Sequence, residues 1–470
     1  MGLATASGGR GAKATLQRRF PQAFARAPGL TEVVGMLGQK RSECVALVDG
    51  NVALRNVPTS VNRLDDFVFF FYRSIFYAAC AAETVIVVFD EPAAMTKAKE
   101  EECSRRDAAR AKSSSGGASA AAAAPPPPSM SDNYTTAWLE AHTDFKSLMN
   151  NRAARSRFID EVVKRAVARL QVDAGFWQKQ GEHLRLVCDG VDPSGSDREP
   201  GVPRVACLVG DEAVASVLRR DAPVGEGDVK LVAWADRVHR ELHNASETFS
   251  GVKTLMHVTI DTDSFMLCLL LEESLNRAHP ERLARDVICF REPAKKRMEE
   301  EDDEMQARPT YLLCDVSMLG QQLRSEAWPQ RDHASEVSAA DRERLVALVA
   351  LAAALCGCDF ILGGLNGANF DAALEAALRM ARQRDHETIH MLDGIKHKSA
   401  EQALACAPLV EELCFNMAGV LGERPRMGKQ ANQVRQPEKT ILTRAIWTAS
   451  YWMQNEFKNT ADFGFVPLSG

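Results

Sequence analysis

Three short apolar runs along the chain, Cys44–Val48, Thr84–Phe89 and Leu255–Ile260, each pass directly into an aspartate. Their length and β-branched content predict strands buried on both faces. Between them the apolar positions change period. Phe158, Ile159, Val162, Val163, Ala166, Val167 and Leu170 return to one side every three or four residues, which predicts an amphipathic helix. Strand and helix thus alternate, and the pattern predicts an α/β fold with a mostly parallel sheet flanked by helices. The most apolar stretch, Leu345–Cys356, is well short of the roughly 20 residues of a membrane span. It predicts a buried helix, and no membrane partner is expected.

Residues 1–40 begin with a Gly/Ala/Ser-rich stretch and continue into a basic amphipathic piece with Leu16, Arg18, Arg19, Phe20 and Phe24. Order is expected only in the second half. Ser113–Asp132, with its alanine run and Pro125–Pro128, offers no side chains to pack a core and is expected to loop out. Lys295–Glu304, three basic residues and then an acidic run, suits a solvated loop. The expected organisation is a first part of a core (1–112), a linker (113–133), a second part carrying the remaining acidic residues (134–365) and a helical C-terminal region with an aromatic segment (366–470).

Charge changes the picture in one respect. A net charge of −6 and a pI near 6.0 exclude strong global attraction to a polyanion, so nucleic acid contact would need a local basic groove or bound cations. The 12 cysteines form no CxxC pair, Cys356 and Cys358 being the nearest approach; neither a zinc ribbon nor a disulfide framework is expected. Free thiols and the lack of a charged-then-apolar start predict an intracellular protein, cytoplasmic or nuclear.

The candidate chemistry lies in carboxylates. In a parallel sheet, side chains at the carboxyl ends of strands converge on one crevice, so Asp49 (VALVDGN), Asp90 (VIVVFDEP) and Asp261 (VTIDTDSF) are expected to meet. Asp263 follows Asp261, Glu226 and Asp228 flank a glycine in VGEGDVKL, and Asp359 follows the apolar helix in ALCGCDF. Taken singly, an Asp after a strand serves a turn or a cap, and Glu226 and Asp228 suit a helix N-terminus. As a set they mean more. Two carboxylates at about 4 Å repel by roughly 4 kcal/mol at an effective dielectric of 20, so such a crevice calls for cations. Oxygen donors select Mg²⁺ or Mn²⁺, and two such ions can drive phosphodiester hydrolysis.

The order and context of these motifs resemble the nuclease core of Xrn-type 5′→3′ exoribonucleases, which are related to the flap-endonuclease and PIN-like nucleases. VGEGDVKL resembles that family's glycine-glutamate-glycine-glutamate stretch, with Asp228 in place of the second glutamate, and TIDTDSFMLCLLL resembles its aspartate-x-aspartate strand. DVICFREP, YLLCDVSMLGQQLRSE and LCGCDFILGGLNGANFDAALEA then follow the family's order. The resemblance implies a PIN-like fold, two metal ions held by the seven acidic residues, and a substrate of single-stranded RNA with a 5′-monophosphate. It also implies a phosphate pocket on the helix TKAKEEECSRRDAARAK, with Lys97, Lys99, Arg105 and Arg106 as its candidates. Two stacking positions differ from the family. Arg55 stands where it has a histidine, and Phe463 or Phe465 where it has a tryptophan; a guanidinium plane or a phenyl ring can still stack on a base. Trp447 and Trp452 are expected in the core. The chain stops after the aromatic segment, as a minimal form would.

Two other functions remain open. A flap endonuclease acting on DNA uses the same carboxylates, and Gly363, Gly364 and Gly367 suit its glycine-rich turn. A catalytically inactive scaffold of the same fold would bind RNA or protein.

Overall fold

The computed structural model describes residues 11–55, 57, 61–90, 136–141, 145–150, 152–173, 183–191, 205–210, 227–245, 247–279, 281, 283–292, 309–329, 337–357, 365, 367–383, 407–424, 427–435, 437 and 439–452. The expected linker at 113–133 and the charged run Lys295–Glu304 lie outside them.

The strands are β1 (Phe24–Ala27), β2 (Cys44–Asp49), β3 (Thr84–Val88), β4 (Arg185–Asp189), β5 (Val205–Val209), β6 (Thr254–Thr259), β7 (Arg285–Glu292) and β8 (Thr310–Asp315). They form one sheet in the order β1-β8-β7-β6-β2-β3-β4-β5. The pairings from β7 through β6, β2 and β3 to β4 are all parallel, whereas β5, β8 and β1 join antiparallel at the margins. The mostly parallel α/β sheet expected from the alternation is therefore present. From β2 the chain lays down β3 and β4 on one side, then returns to place β6 and β7 on the other. The strand order thus reverses between β2 and β6, and beyond the carboxyl ends of strands at such a reversal open sheets place their binding crevices.

Helices cover both faces. Before β4 come α1 (Ala12–Arg19), α2 (Leu30–Met36), α3 (Gly50–Arg55), α4 (Leu64–Ala81), α5 (Thr136–Ala141), α6 (Phe145–Asn150) and α7 (Arg152–Val172). After β5 come α8 (Gly227–His243), α9 (Ser264–Ala278), α10 (Val316–Ala327), α11 (Ala339–Leu355), α12 (Phe370–Arg382), α13 (Ala407–Gly422), α14 (Gly428–Val434) and α15 (Lys439–Trp452). Side chains alternate across a strand, so β2 sends Val45 and Leu47 into the core shared with α8–α15, and Cys44, Ala46 and Val48 into the core shared with α2–α7. Double burial is why β2 and β3 read as apolar runs and why β6 is apolar apart from its two threonines and the buried His257.

The apolar period expected around Phe158–Leu170 belongs to α7, whose Phe158, Val162, Val163, Ala166 and Leu170 are buried. Leu345–Cys356 falls on α11 and its C-cap and is buried all round, because α9, α12 and α15 pack against that helix. Among the described residues no helix is long and apolar enough to cross a membrane. Trp452 is in the core as expected; the Trp447 side chain lies outside the described ones. The described cysteines are free thiols.

The N-terminal segment takes structure earlier than its composition suggests. α1 starts at Ala12, its Leu16 is fully buried, Arg18 reaches Asp371 at 2.7 Å, and Arg19 pairs with Glu326 and Glu375. Helices remote in sequence thus hold this segment through the amphipathic residues Leu16, Arg18 and Arg19.

A charged group of three side chains sits inside the larger core. Asp286 of β7 accepts from Nε2 of His257 on β6 at 2.8 Å and from Nε2 of His239 on α8 at 2.9 Å, all three side chains being buried. Burial opposes charge on His257, but the adjoining Cys268 and the bond to Asp286 outweigh it and raise its pKa to about 10. Burial opposes the Asp286 carboxylate too, yet the two histidines hold its pKa well below 3.8. The network ties α8, β6 and β7 together behind the carboxyl-end crevice.

Candidate functional site

Three of the aspartates meet at the carboxyl edge. Asp49 is the last residue of β2, Asp90 lies two residues past β3, and Asp261 two past β6. These are the adjacent strands β6-β2-β3, with the reversal between the first two. Asp49 turns back on its own chain, where Oδ1 accepts the Val52 N–H at 3.1 Å and caps the start of α3. Gly50 is required beside it, since a Cβ there would lie 2.5 Å from the Phe89 ring. Asp90 is held from two sides. Its Oδ1 accepts the Gly227 N–H at 2.8 Å, and its Oδ2 accepts from Arg155 Nη2 at 2.8 Å. The same Arg155 nitrogen donates to Asn51 Oδ1 at 2.6 Å.

Gly227 brings the N-terminus of α8 into this group. A Cβ on it would stand 3.2 Å from both Asn51 Nδ2 and Asp90 Oδ1, and 3.6 Å from Asp49 Oδ1. A side chain here would push helix and carboxylates apart, which accounts for a glycine between Glu226 and Asp228.

The charges of the other two aspartates are felt at Asp49. Burial, then the nearby Asp90 and to a smaller degree Asp261, raise its pKa to about 7, against the opposing Val52 N–H and the charge of Arg55. A group whose folded pKa exceeds its unfolded one loses stability as pH rises from 3.8 to about 7. Asp49→Asn keeps the acceptor for Val52 and removes the charge. In EDTA above about pH 8 it is expected to unfold at higher urea than the parent, by up to about 4 kcal/mol, a gain that vanishes near pH 4. Equal midpoints at the higher pH would contradict the crowding.

The other expected residues divide as follows. The half-buried Asp261 accepts the Asp263 N–H at Oδ1, 3.3 Å away, and its own N–H donates to Thr259 Oγ1 at 3.0 Å. Asp263 is buried at the N-cap of α9. Asp228 is in the first turn of α8, where Oδ1 accepts the Val229 N–H at 2.8 Å, as a carboxylate serving a helix start does. Arg55 ends α3 and is exposed. Gly367 has φ +83, the left-handed region. Glu226, Asp359, Lys97, Lys99, Arg105, Arg106, Phe463, Phe465, Gly363 and Gly364 lie outside the described residues.

Sequence reading missed two features. β4 is a fourth apolar run ending in an aspartate. Asp189 there is buried and bonded to Lys230 Nζ at 2.9 Å and Trp234 Nε1 at 2.7 Å, while Lys230 also donates to the Phe89 carbonyl at 3.2 Å. This pins α8 next to Asp90, and the four-residue spacing of Lys230 and Trp234 was a readable signal. Arg155 is the second. It stands in the first turn of α7 among several arginines, and nothing local sets it apart.

The donors are carboxylate oxygens, whose hardness fits Mg²⁺ or Mn²⁺. Among the described residues, though, no three His, Cys, Asp or Glu side chains stand in an arrangement that would hold a metal ion, and a cation that does meet Asp90 is the Arg155 guanidinium. No family model matches the chain, and no curated protein matches it. The site itself must carry the functional reading.

Proposed function

We propose that the chain is a metal-dependent 5′→3′ exoribonuclease of PIN-like fold that degrades 5′-monophosphorylated single-stranded RNA. The observation that carries the reading is the meeting of Asp49, Asp90 and Asp261 at the carboxyl ends of three adjacent parallel strands, beside the reversal of strand order. The described aspartates form no metal-holding group by themselves, so on this reading Glu226 and Asp359 would complete the set of Asp49, Asp90, Asp228, Asp261 and Asp263 that holds the ions. Bound Mg²⁺ or Mn²⁺ supplies Lewis acidity at the phosphoryl oxygen and lowers the pKa of water.

The chain's own groups provide the rest. The Gly227 N–H and the Arg155 guanidinium hold the Asp90 carboxylate in one orientation. The buried Lys230–Asp189 pair keeps α8 against the sheet, so that this amide does not drift. Lys97, Lys99, Arg105 and Arg106 are assigned to the 5′-phosphate, and Arg55, Phe463 and Phe465 to the leading bases.

The purified full chain, with Mg²⁺ or EDTA, is to be offered single-stranded RNA and DNA bearing 5′-monophosphate or 5′-hydroxyl ends, together with flap DNA. Processive, Mg²⁺-dependent loss of 5′-phosphorylated RNA is expected. Preferred flap cutting would replace the proposal with a DNA nuclease, and binding without cleavage would replace it with a scaffold.

A further inference from the structure

Arg291 of β7 is a charged side chain that the fold withdraws from water without giving it a carboxylate partner among the described residues. It stands directly opposite Tyr311 of β8 in the antiparallel pair. Both side chains therefore leave the sheet on the face where Cys289 and Leu313 enter the core shared with α2–α7. Tyr311 is 3% exposed, and among the described residues its hydroxyl has no hydrogen-bond partner. α4 brings Arg73, Ser74 and Tyr77 to the same place. Arg291 Nη1 donates to Ser74 Oγ at 3.1 Å, Ser74 Oγ donates to the Phe70 carbonyl at 3.4 Å, and Arg73 Nη2 donates to the Tyr77 hydroxyl at 2.9 Å. A guanidinium taken this far from water is ordinarily paired. Here burial pushes the Arg291 pKa down and the neighbouring Arg73 adds to the fall, opposed only by the phenols of Tyr311 and Tyr77. Two guanidinium groups beside three hydroxyls, with no carboxylate answering Arg291, make an arrangement short of one anion.

We infer that Arg291, Arg73, Ser74, Tyr77 and Tyr311 form a binding site for a phosphate group, carried either by inorganic phosphate or by a small phosphomonoester such as a mononucleotide. Arg291 gives the anion Nε and Nη2, the nitrogens that Ser74 does not engage, and Tyr311 gives its unpartnered hydroxyl. Donors that arrive from β7, β8 and α4 suit the several oxygens of a tetrahedral anion better than the two coplanar oxygens of a carboxylate. No step of the hydrolysis outlined above uses these residues, so the inference stands apart from the nuclease reading.

The full chain is to be titrated by calorimetry with inorganic phosphate, adenosine monophosphate and acetate, in EDTA so that no metal ion takes part. The parent is compared with Arg291→Gln, Arg291→Lys and Tyr311→Phe. The parent is expected to bind phosphate or the nucleotide and not acetate. Arg291→Gln should weaken that binding about tenfold or more and Tyr311→Phe about threefold, with Arg291→Lys between them and the parent. Stronger binding of inorganic phosphate would identify the free anion as the occupant, and stronger binding of the nucleotide a phosphomonoester. Urea unfolding gives a second reading: phosphate should raise the midpoint of the parent and leave that of Arg291→Gln where it was. Tyr311→Phe removes only the unpartnered hydroxyl and carries the test if Arg291→Gln fails to fold. Absence of phosphate and nucleotide binding in the parent, or binding that is equal in the parent and the folded variants, would overturn the inference.

Discussion

Replacing Asp261 with alanine is expected to abolish Mg²⁺-dependent RNA cleavage and leave the fold nearly as stable as before. On the proposed mechanism the variant loses a carboxylate that would hold the ion from the β6 side of the strand reversal. Lewis-acid stabilisation is worth several kcal/mol and each 1.36 kcal/mol is tenfold in rate, so the loss should be about 10³-fold or more. The structural cost is expected to be small because Asp261 is half-buried beyond the end of β6, and the backbone bond its side chain accepts from the Asp263 N–H is long, at 3.3 Å. Such a bond contributes about 1 kcal/mol. The bond that fixes the turn, from the Asp261 N–H to Thr259 Oγ1, survives the substitution. Single-turnover cleavage and urea unfolding, measured on the same preparations, separate the two effects. Cleavage at more than about a tenth of the parent rate would sink the mechanism, and an unfolded variant would show that the carboxylate serves the fold.

Asp286→Asn should do the reverse, striking stability far from the carboxylate group. It leaves His257 and His239 buried without the anion they share. Breaking a buried charged pair by removing one partner costs about 3–5 kcal/mol. The dependence on pH gives this result its signature. The His257 pKa is raised in the fold, so its contribution is complete below 6.5 and is lost as pH climbs towards about 10. The Asp286 pKa is lowered, so its contribution is present above 3.8 and is lost only as pH falls through its folded value. The gap between parent and variant in urea should therefore be wide near about pH 5.5 and much narrower near about pH 9.5. A gap of the same size at both, or one below about 1 kcal/mol, would show that Asp286 acts by packing rather than charge.

Much of the sheet could be read along the chain because burial on both faces leaves a local trace. β2 is an unbroken apolar run since Val45 and Leu47 enter one core while Ala46 and Val48 enter the other, and β3 and, apart from His257, β6 follow the same rule. The amphipathic period of α7 and the uniform burial of α11 left similar traces, and so did the aspartates that close the runs. Periods of two and of 3.6 residues are properties of neighbours in sequence, and they specify elements.

Strand order is not a property of neighbours. That β6 returns to lie beside β2, bringing Asp261 to Asp49 and Asp90, depends on pairings across some two hundred residues. The parting of β3 and β6 to opposite sides of β2 turns three scattered aspartates into one group. The arrival of Arg155 at Asp90, the close approach of Gly227 and the pinning of α8 by Asp189 and Lys230 were decided at the same level. Helices from two faces meet there at one sheet edge. An arginine in a run of arginines, or a glycine in a glycine-rich turn, has no local period to mark it. The sequence alone determined which elements form and which carboxylates lie near strand ends. Only the tertiary structure, through long-range pairing and double-sided packing, decided which of those carboxylates meet and which cation meets them.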